Sequence, residues 1–132
     1  MTSFVILLGG DLTVTARLRQ QIRGARAIAA DSGMMHAAAL GLVPELWVGD
    51  FDSAGSAVEK DATDGAIAVA AAIARGASRI VLAGGLGGQA DHTAGLLGQA
   101  LQIARGGRSC LVTSGAEEAY PLLPGRMLID LP

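Results

Sequence analysis

The chain has 132 residues, of which 51% are hydrophobic, 17% charged and 3% aromatic, enough apolar material for one packed domain and the start of a second. That apolar fraction excludes intrinsic disorder, and a net charge of −2 with no basic block and few aromatics argues against nucleic-acid binding. No apolar run approaches the ~20 residues that cross a bilayer, so no membrane association is expected.

The N-terminal stretch Met1–Asp11 lacks a basic start and turns quickly into Gly9-Gly10-Asp11, so it reads as a strand rather than a signal peptide. The single cysteine, Cys110, cannot form an internal disulfide and lies in the apolar run Ser109–Val112. It reads as a small core residue in a reducing, cytoplasmic setting.

Short apolar runs alternate with longer amphipathic or alanine-rich ones. Strands are predicted at Phe4–Leu8, Ala27–Ala30, Leu46–Val48, Arg79–Ala83 and Ser109–Thr113, and helices at Leu12–Arg23, Gly33–Leu40, Asp64–Arg75 and His92–Arg105. In the last helix Leu96, Leu97, Ala100, Leu101, Ile103 and Ala104 share one face, and Gln99, Gln102 and Arg105 take the other. Strand and helix alternating at this pitch predict an α/β fold: a Rossmann-like, mostly parallel sheet with helices on both faces. After Ser114 the chain changes character. Pro121, Pro124 and Gly125 punctuate it, and Met127–Leu131 reads as a strand with no helix behind it. The expected division is an α/β domain over residues 1–114 and, over 115–132, the first strands of a truncated β-sandwich.

Six of the acids, Asp31, Asp50, Asp52, Asp61, Asp64 and Asp91, fall at strand ends or helix starts. In an open α/β sheet these positions converge on the rim where ligands bind. In Gly49-Asp50-Phe51-Asp52-Ser53 the two carboxylates lie about 7 Å apart on one side of an extended chain, so they can face one hard cation or two. The bland alternative is a polar turn closing a strand. In Lys60-Asp61-Ala62-Thr63-Asp64, Asp61 can cap the following helix and Asp64 can sit in its first turn. Lys60 is also the only lysine of the chain, a point-charge donor beside an acid pair. Gly84-Gly85-Leu86-Gly87-Gly88-Gln89-Ala90-Asp91-His92 lets backbone N–H groups approach an anion, although it is neither a Walker A nor a dinucleotide-binding spacing. Gly9-Gly10-Asp11 and Asp31-Ser32-Gly33 repeat the device of small residues and a carboxylate at a strand-to-helix turn. His36 reads as a structural or rim residue rather than a ligand.

Ala30-Asp31-Ser32-Gly33, Gly49-Asp50-Phe51-Asp52-Ser53, Lys60-Asp61-Ala62-Thr63-Asp64 and Gly87-Gly88-Gln89-Ala90-Asp91-His92-Thr93, in this order, resemble thiamine pyrophosphokinase over roughly residues 4 to 113. The resemblance implies an α/β catalytic domain followed by a β-sandwich domain, in a homodimer with sites shared between chains. It implies transfer of a diphosphoryl group from ATP to the thiamine hydroxyl, with magnesium. It assigns metal binding to Asp50, Asp52 and Asp64, and catalysis to these three with Asp91 and His92. Nucleotide binding falls to Gly10, Asp31, Ser32 and Gly33 at the first turns, to Lys60, Asp61 and Thr63, and to Gly87, Gly88 and Gln89. Asp52, Asp91 and His92 are all open as the general base.

Three departures stand out. Ser32 replaces a common glycine, and Gln89 replaces a common arginine, for which Arg75 and Arg108 are the possible stand-ins. Only Ala54–Glu59 separates Ser53 from Lys60, shorter than the family's stretch, which predicts residues missing between 53 and 60. The last two departures keep open a nucleotide-binding module without turnover, and the absence of most of the thiamine-contacting sandwich after Ala119 keeps open a pyrophosphokinase for another hydroxymethyl heterocycle such as a pterin. An aspartate-nucleophile phosphatase fits less well, because Ser53-Ala54-Gly55 follows the acid pair.

Overall fold

The structure is a computed structural model that describes residues 2–49, 64–86 and 90–121, the side chains of 90–96 excepted. Six strands form one sheet: β1 (Ser3–Leu7), β2 (Arg26–Ala30), β3 (Leu46–Val48), β4 (Arg79–Ala83), β5 (Ser109–Thr113) and β6 (Glu118–Ala119), in the spatial order β3-β2-β1-β4-β5-β6. The first five are mutually parallel, and only β6 runs antiparallel, with Thr113 opposite Glu118.

The strand residues alternate between two apolar layers. Phe4, Ile6, Ile28, Ile80, Leu82 and Val112 meet α3 (Asp64–Ala74) and α4 (Ala90–Arg105) through Ala68, Val69, Ala72, Ala100 and Ile103. On the other face Val5, Leu7, Ala29, Val81 and Leu111 meet α1 (Ala16–Gln21) and α2 (Ala37–Leu40) through Leu18, Ile22, Ala37 and Leu40. The helices change faces when the chain changes direction across the sheet. Steps from β1 to β2 to β3 use α1 and α2, and steps back to β4 and β5 use α3 and α4. Right-handed crossovers require this arrangement. Helices on both faces of a mostly parallel sheet are the expected α/β fold.

The strand ranges agree with expectation to within a residue and α3 starts at Asp64 as expected, but the first two helices do not start where expected. The first helix begins at Ala16 rather than Leu12, because Thr15 caps it: the Thr15 Oγ1 accepts the Leu18 N–H at 3.0 Å. Residues 12–14 instead run across the sheet end, where the Thr13 N–H donates to the Ser114 carbonyl at 2.7 Å. The segment expected as a helix over Gly33–Leu40 starts earlier, as a 3-10 helix over Asp31–His36 that continues into α2. In α4 Ala100, Ile103 and Ala104 are buried as expected, but Leu97 is exposed at the margin of the stripe. Cys110 is buried, and burial pushes its thiol up to about 12, so it is an inert core residue. Among the described residues no helix is long and apolar enough to cross a membrane.

The strand β6 lies on this same sheet, fastened to α1 by a charged group that the sequence reading passed over. Arg17 makes a forked pair with Glu118, and Gln21 Nε2 and the Tyr120 hydroxyl each donate to the same carboxylate at 3.1 Å. The Arg17 guanidinium, helped by Gln21 and Tyr120, holds the Glu118 carboxyl below its ordinary range. A depressed folded-state value adds stability above the unfolded value and loses it as pH falls through the folded one. Glu118→Gln is therefore expected to lower the melting temperature by about 3 °C near neutral pH. The deficit should shrink below about pH 4, as thermal melts across pH would register. Residues 122–132, with the strand expected at Met127–Leu131, lie outside the described residues.

Candidate functional site

Strands β1 and β4 are neighbours, yet the chain leaves them in opposite directions, β1 toward β2 and β4 toward β5. At such a switch point the turns beyond the strands diverge and leave a crevice at the carboxyl edge. The two turns are joined by main-chain hydrogen bonds. The Leu8 N–H donates to Ala83 O at 2.7 Å, and the Gly10 N–H donates to Gly84 O at 2.9 Å. A Cβ on Gly10 would lie 2.3 Å from Gly84 O, and one on Gly84, whose φ is +86°, would lie 2.3 Å from Leu8 O. Only glycine fits either place.

The second turn is packed against the first. A Cβ on Gly33 would lie 1.9 Å from Leu7 O, and one on Gly9 would meet Ser32 Oγ at 2.2 Å. His36 reaches back from the 3-10 helix, its Nε2 lying 2.9 Å from Gly10 O. A carbonyl only accepts, so this nitrogen carries the proton, and His36 is the structural rim residue the sequence suggested. Asp31 and Ser32 are exposed at this edge. Asp31 adopts a left-handed conformation, φ +49°, alone among the described non-glycine residues. The Trp47 Nε1–H donates to its carbonyl at 2.9 Å, and a Cβ on Gly49 would lie 3.1 Å from its Cα.

Two helices bring acids to the same edge. The last turn of α3 leads through Ser78 and Arg79, whose N–H groups donate to Thr2 O at the amino end of β1. An 11-residue helix spans about 16 Å, the length of a strand here, so Asp64 in its first turn stands at the carboxyl edge, half-buried. α4, whose 16 residues span about 24 Å, runs back to the start of β5 and so begins at or beyond that edge, with the backbone of Asp91 and His92. Asp50, Asp52, Lys60, Asp61, Thr63, Gly87, Gly88 and Gln89 lie outside the described residues, as does the stretch 53–60 where missing residues were expected.

The structure thus gathers Gly10, Asp31, Ser32, Gly33 and Asp64, together with the backbone of Asp91 and His92, on one rim. Asp31 and Asp64 offer hard carboxylate oxygens of the kind magnesium takes, and the one thiol is buried in the core. Among the described residues no group of three acids, histidines or cysteines forms a cluster able to hold a metal.

A family model described as thiamin pyrophosphokinase, catalytic domain, matches residues 21–112, more than half of the chain. The chain belongs to this family. Solved structures carry the same fold. A thiamine pyrophosphokinase from Bacillus subtilis is similar at a TM-score of 0.70 and 22% identity, over 85% of this chain and 60% of that one. A thiamin pyrophosphokinase from Geobacillus thermodenitrificans is similar at 0.64 and 26%, over 86% of this chain and 59% of that one. The chain therefore spans about 60% of the length of these proteins. No curated protein sequence matches it.

Seen as a thiamin pyrophosphokinase catalytic domain, the chain has Arg75 and Arg108 in the wrong place to replace an arginine at Gln89. Arg108 Nε donates to Ala77 O at 3.0 Å, and Arg75 pairs with Glu45 at 3.1 Å; both partners precede strands, at the amino edge. Arg26, over the Phe4 ring at 4.7 Å, forks onto the same Glu45 at 2.7 Å and lowers that carboxyl. The stand-in role considered for Arg75 and Arg108 is thus excluded by position: each is a clamp on the edge away from the crevice. Arg17 stands by the carboxyl end of β5, but its charge is taken up by Glu118.

Proposed function

We propose that this chain is the nucleotide-binding catalytic part of an ATP-dependent diphosphotransferase that makes thiamine diphosphate and AMP from ATP and thiamine. The observation that carries the reading is the rim itself. In a chain of this family, glycine turns meeting backbone to backbone at the switch point share the carboxyl edge with Asp31 and Asp64. The glycine turns at Gly9-Gly10 and Gly84-Gly85 admit a triphosphate close to the main chain. Asp31, Asp64, Asp50 and Asp52 are the residues that would hold magnesium, which when bound offsets the charge developing on the phosphate oxygens.

The thiamine hydroxyl oxygen attacks the β-phosphorus in line, its bond to the α–β bridging oxygen breaks, and AMP departs with that oxygen. The hydroxyl proton passes to a carboxylate or imidazole, with Asp52, Asp91 and His92 as the groups that can take it. Lys60, Asp61 and Thr63 with Gly87, Gly88 and Gln89 complete the nucleotide site, and Ser32 and Gly33 hold its wall. A β-rich domain following β6, paired with a second copy across a homodimer, would supply the thiamine contacts. The buried single cysteine suits the cytoplasm.

Incubating the intact protein with magnesium, ATP and either thiamine or a hydroxymethylpterin tests the reading. AMP formed with thiamine alone is the expected result. AMP formed only with the pterin moves the acceptor to another heterocycle. Nucleotide binding with no AMP from either would favour the module without turnover, for which the short stretch 54–59 and the glutamine at position 89 speak.

A further inference from the structure

Asp31 is the one described non-glycine residue with a positive φ, and it carries a rim carboxylate. A left-handed conformation costs an L-residue about 1–2 kcal/mol, less for aspartate than for most, and it persists only where neighbours enforce it. Three features meet on Asp31. Its carbonyl accepts the Trp47 Nε1–H at 2.9 Å, Gly49 lies flat against its Cα where a Cβ would come within 3.1 Å, and Gly33 two residues on is wedged against the Leu7 carbonyl.

Trp47 itself is not core filling. It sits on β3, the outer strand of the sheet, and is 48% exposed. An indole N–H only donates, and it does so at every pH, so the bond to Asp31 is a fixed hold rather than a switch. Fixing that carbonyl also fixes the Ser32 N–H, which points the opposite way across the same planar peptide.

We propose that Trp47 is a positioning residue: by holding the Asp31 carbonyl it keeps the backbone left-handed and aims the Asp31 carboxylate at the metal–nucleotide site. This rests on the function proposed above. Trp47 is also the only tryptophan among these 132 residues, so the emission lost in Trp47→Phe is the part that reports on this rim.

The test uses the intact protein and magnesium with a non-hydrolysable ATP analogue. In the native protein, titration is expected to change the Trp47 emission saturably with magnesium present, and weakly with EDTA in its place. Trp47→Phe, which keeps an aromatic ring and removes the donor, is expected to raise the calorimetric Kd for the magnesium–nucleotide about tenfold, the scale of one lost hydrogen bond. It should leave the Kd in EDTA unchanged. A purely structural role would move both constants or neither. Benzothienylalanine at position 47, with sulfur in place of the N–H on the same ring shape, serves should the phenylalanine variant fold poorly, and the same tenfold loss is expected. Unchanged magnesium–nucleotide affinity in a folded donor-less variant overturns the positioning role while the function stands. No nucleotide binding by the native protein overturns the function, and the inference with it.

Discussion

Replacing Gly33 by alanine is expected to destabilise the fold by about 3 kcal/mol and lower its melting temperature by roughly 10 °C. The new Cβ would lie 1.9 Å from Leu7 O and 2.4 Å from Leu7 C, both main-chain atoms of the central strand, and neither can swing aside as a side chain would. Gly33 has no positive φ and is buried, so the effect is steric and not conformational. Gly41 supplies the contrast. Its φ is +69° at the end of α2 with nothing within 4 Å of a Cβ, so Gly41→Ala should cost only about 1 kcal/mol, for the left-handed backbone. Urea denaturation of the two variants checks both figures. Equal losses would mean that the start of the 3-10 helix can lift off β1, and that the rim is looser than the packing implies.

The largest effect on activity is expected at Asp64. Asp64→Asn should lower kcat for AMP release by about a thousandfold, the scale of losing one preorganised charge at a phosphoryl-transfer site. The melting temperature should move by no more than about 2 °C. The asparagine keeps the shape, and the carboxylate at the first turn of α3 contributes only a few tenths of a kcal/mol to the helix. Steady-state rates with saturating ATP and thiamine, beside thermal melts, separate the two. A rate within tenfold of the native one would remove Asp64 from the metal set.

The strands were legible because buried parallel strands read as unbroken apolar runs. Phe4 to Leu7 and Ile80 to Ala83 are fully or nearly fully buried on both faces. The start of the first helix was less so, since periodicity extends through Leu12 and Val14, which do pack on the core but ahead of the Thr15 cap. The acids on the rim were legible from their place beside glycine at strand ends. The partners that hold the rim were not. Trp47 and Asp31 are brought together by the pairing of β2 with β3, and Arg17 meets Glu118 only because β6 folds back on β5. Those pairings span many residues and leave no local pattern. The pair Glu117-Glu118 ahead of Tyr120, after an apolar strand, was the only hint at Glu118. Arg75 and Arg108 misled for the same reason: a sequence reveals a cation but not which edge of the sheet it occupies.

The joint between the turns after β1 and β4 has a consequence for how such a crevice can change over time. Its floor is built from peptide groups, Gly10 N–H on Gly84 O and Leu8 O beneath the Gly84 Cα. Point substitution at Gly10 or Gly84 has nothing to adjust, since a Cβ is refused at either place. The gap between the two turns is therefore a fixed gauge. A lineage that altered which molecule it accepts would have to work on the walls, through Asp31, Ser32 and the residues leading α3 and α4, while the floor stayed as it is.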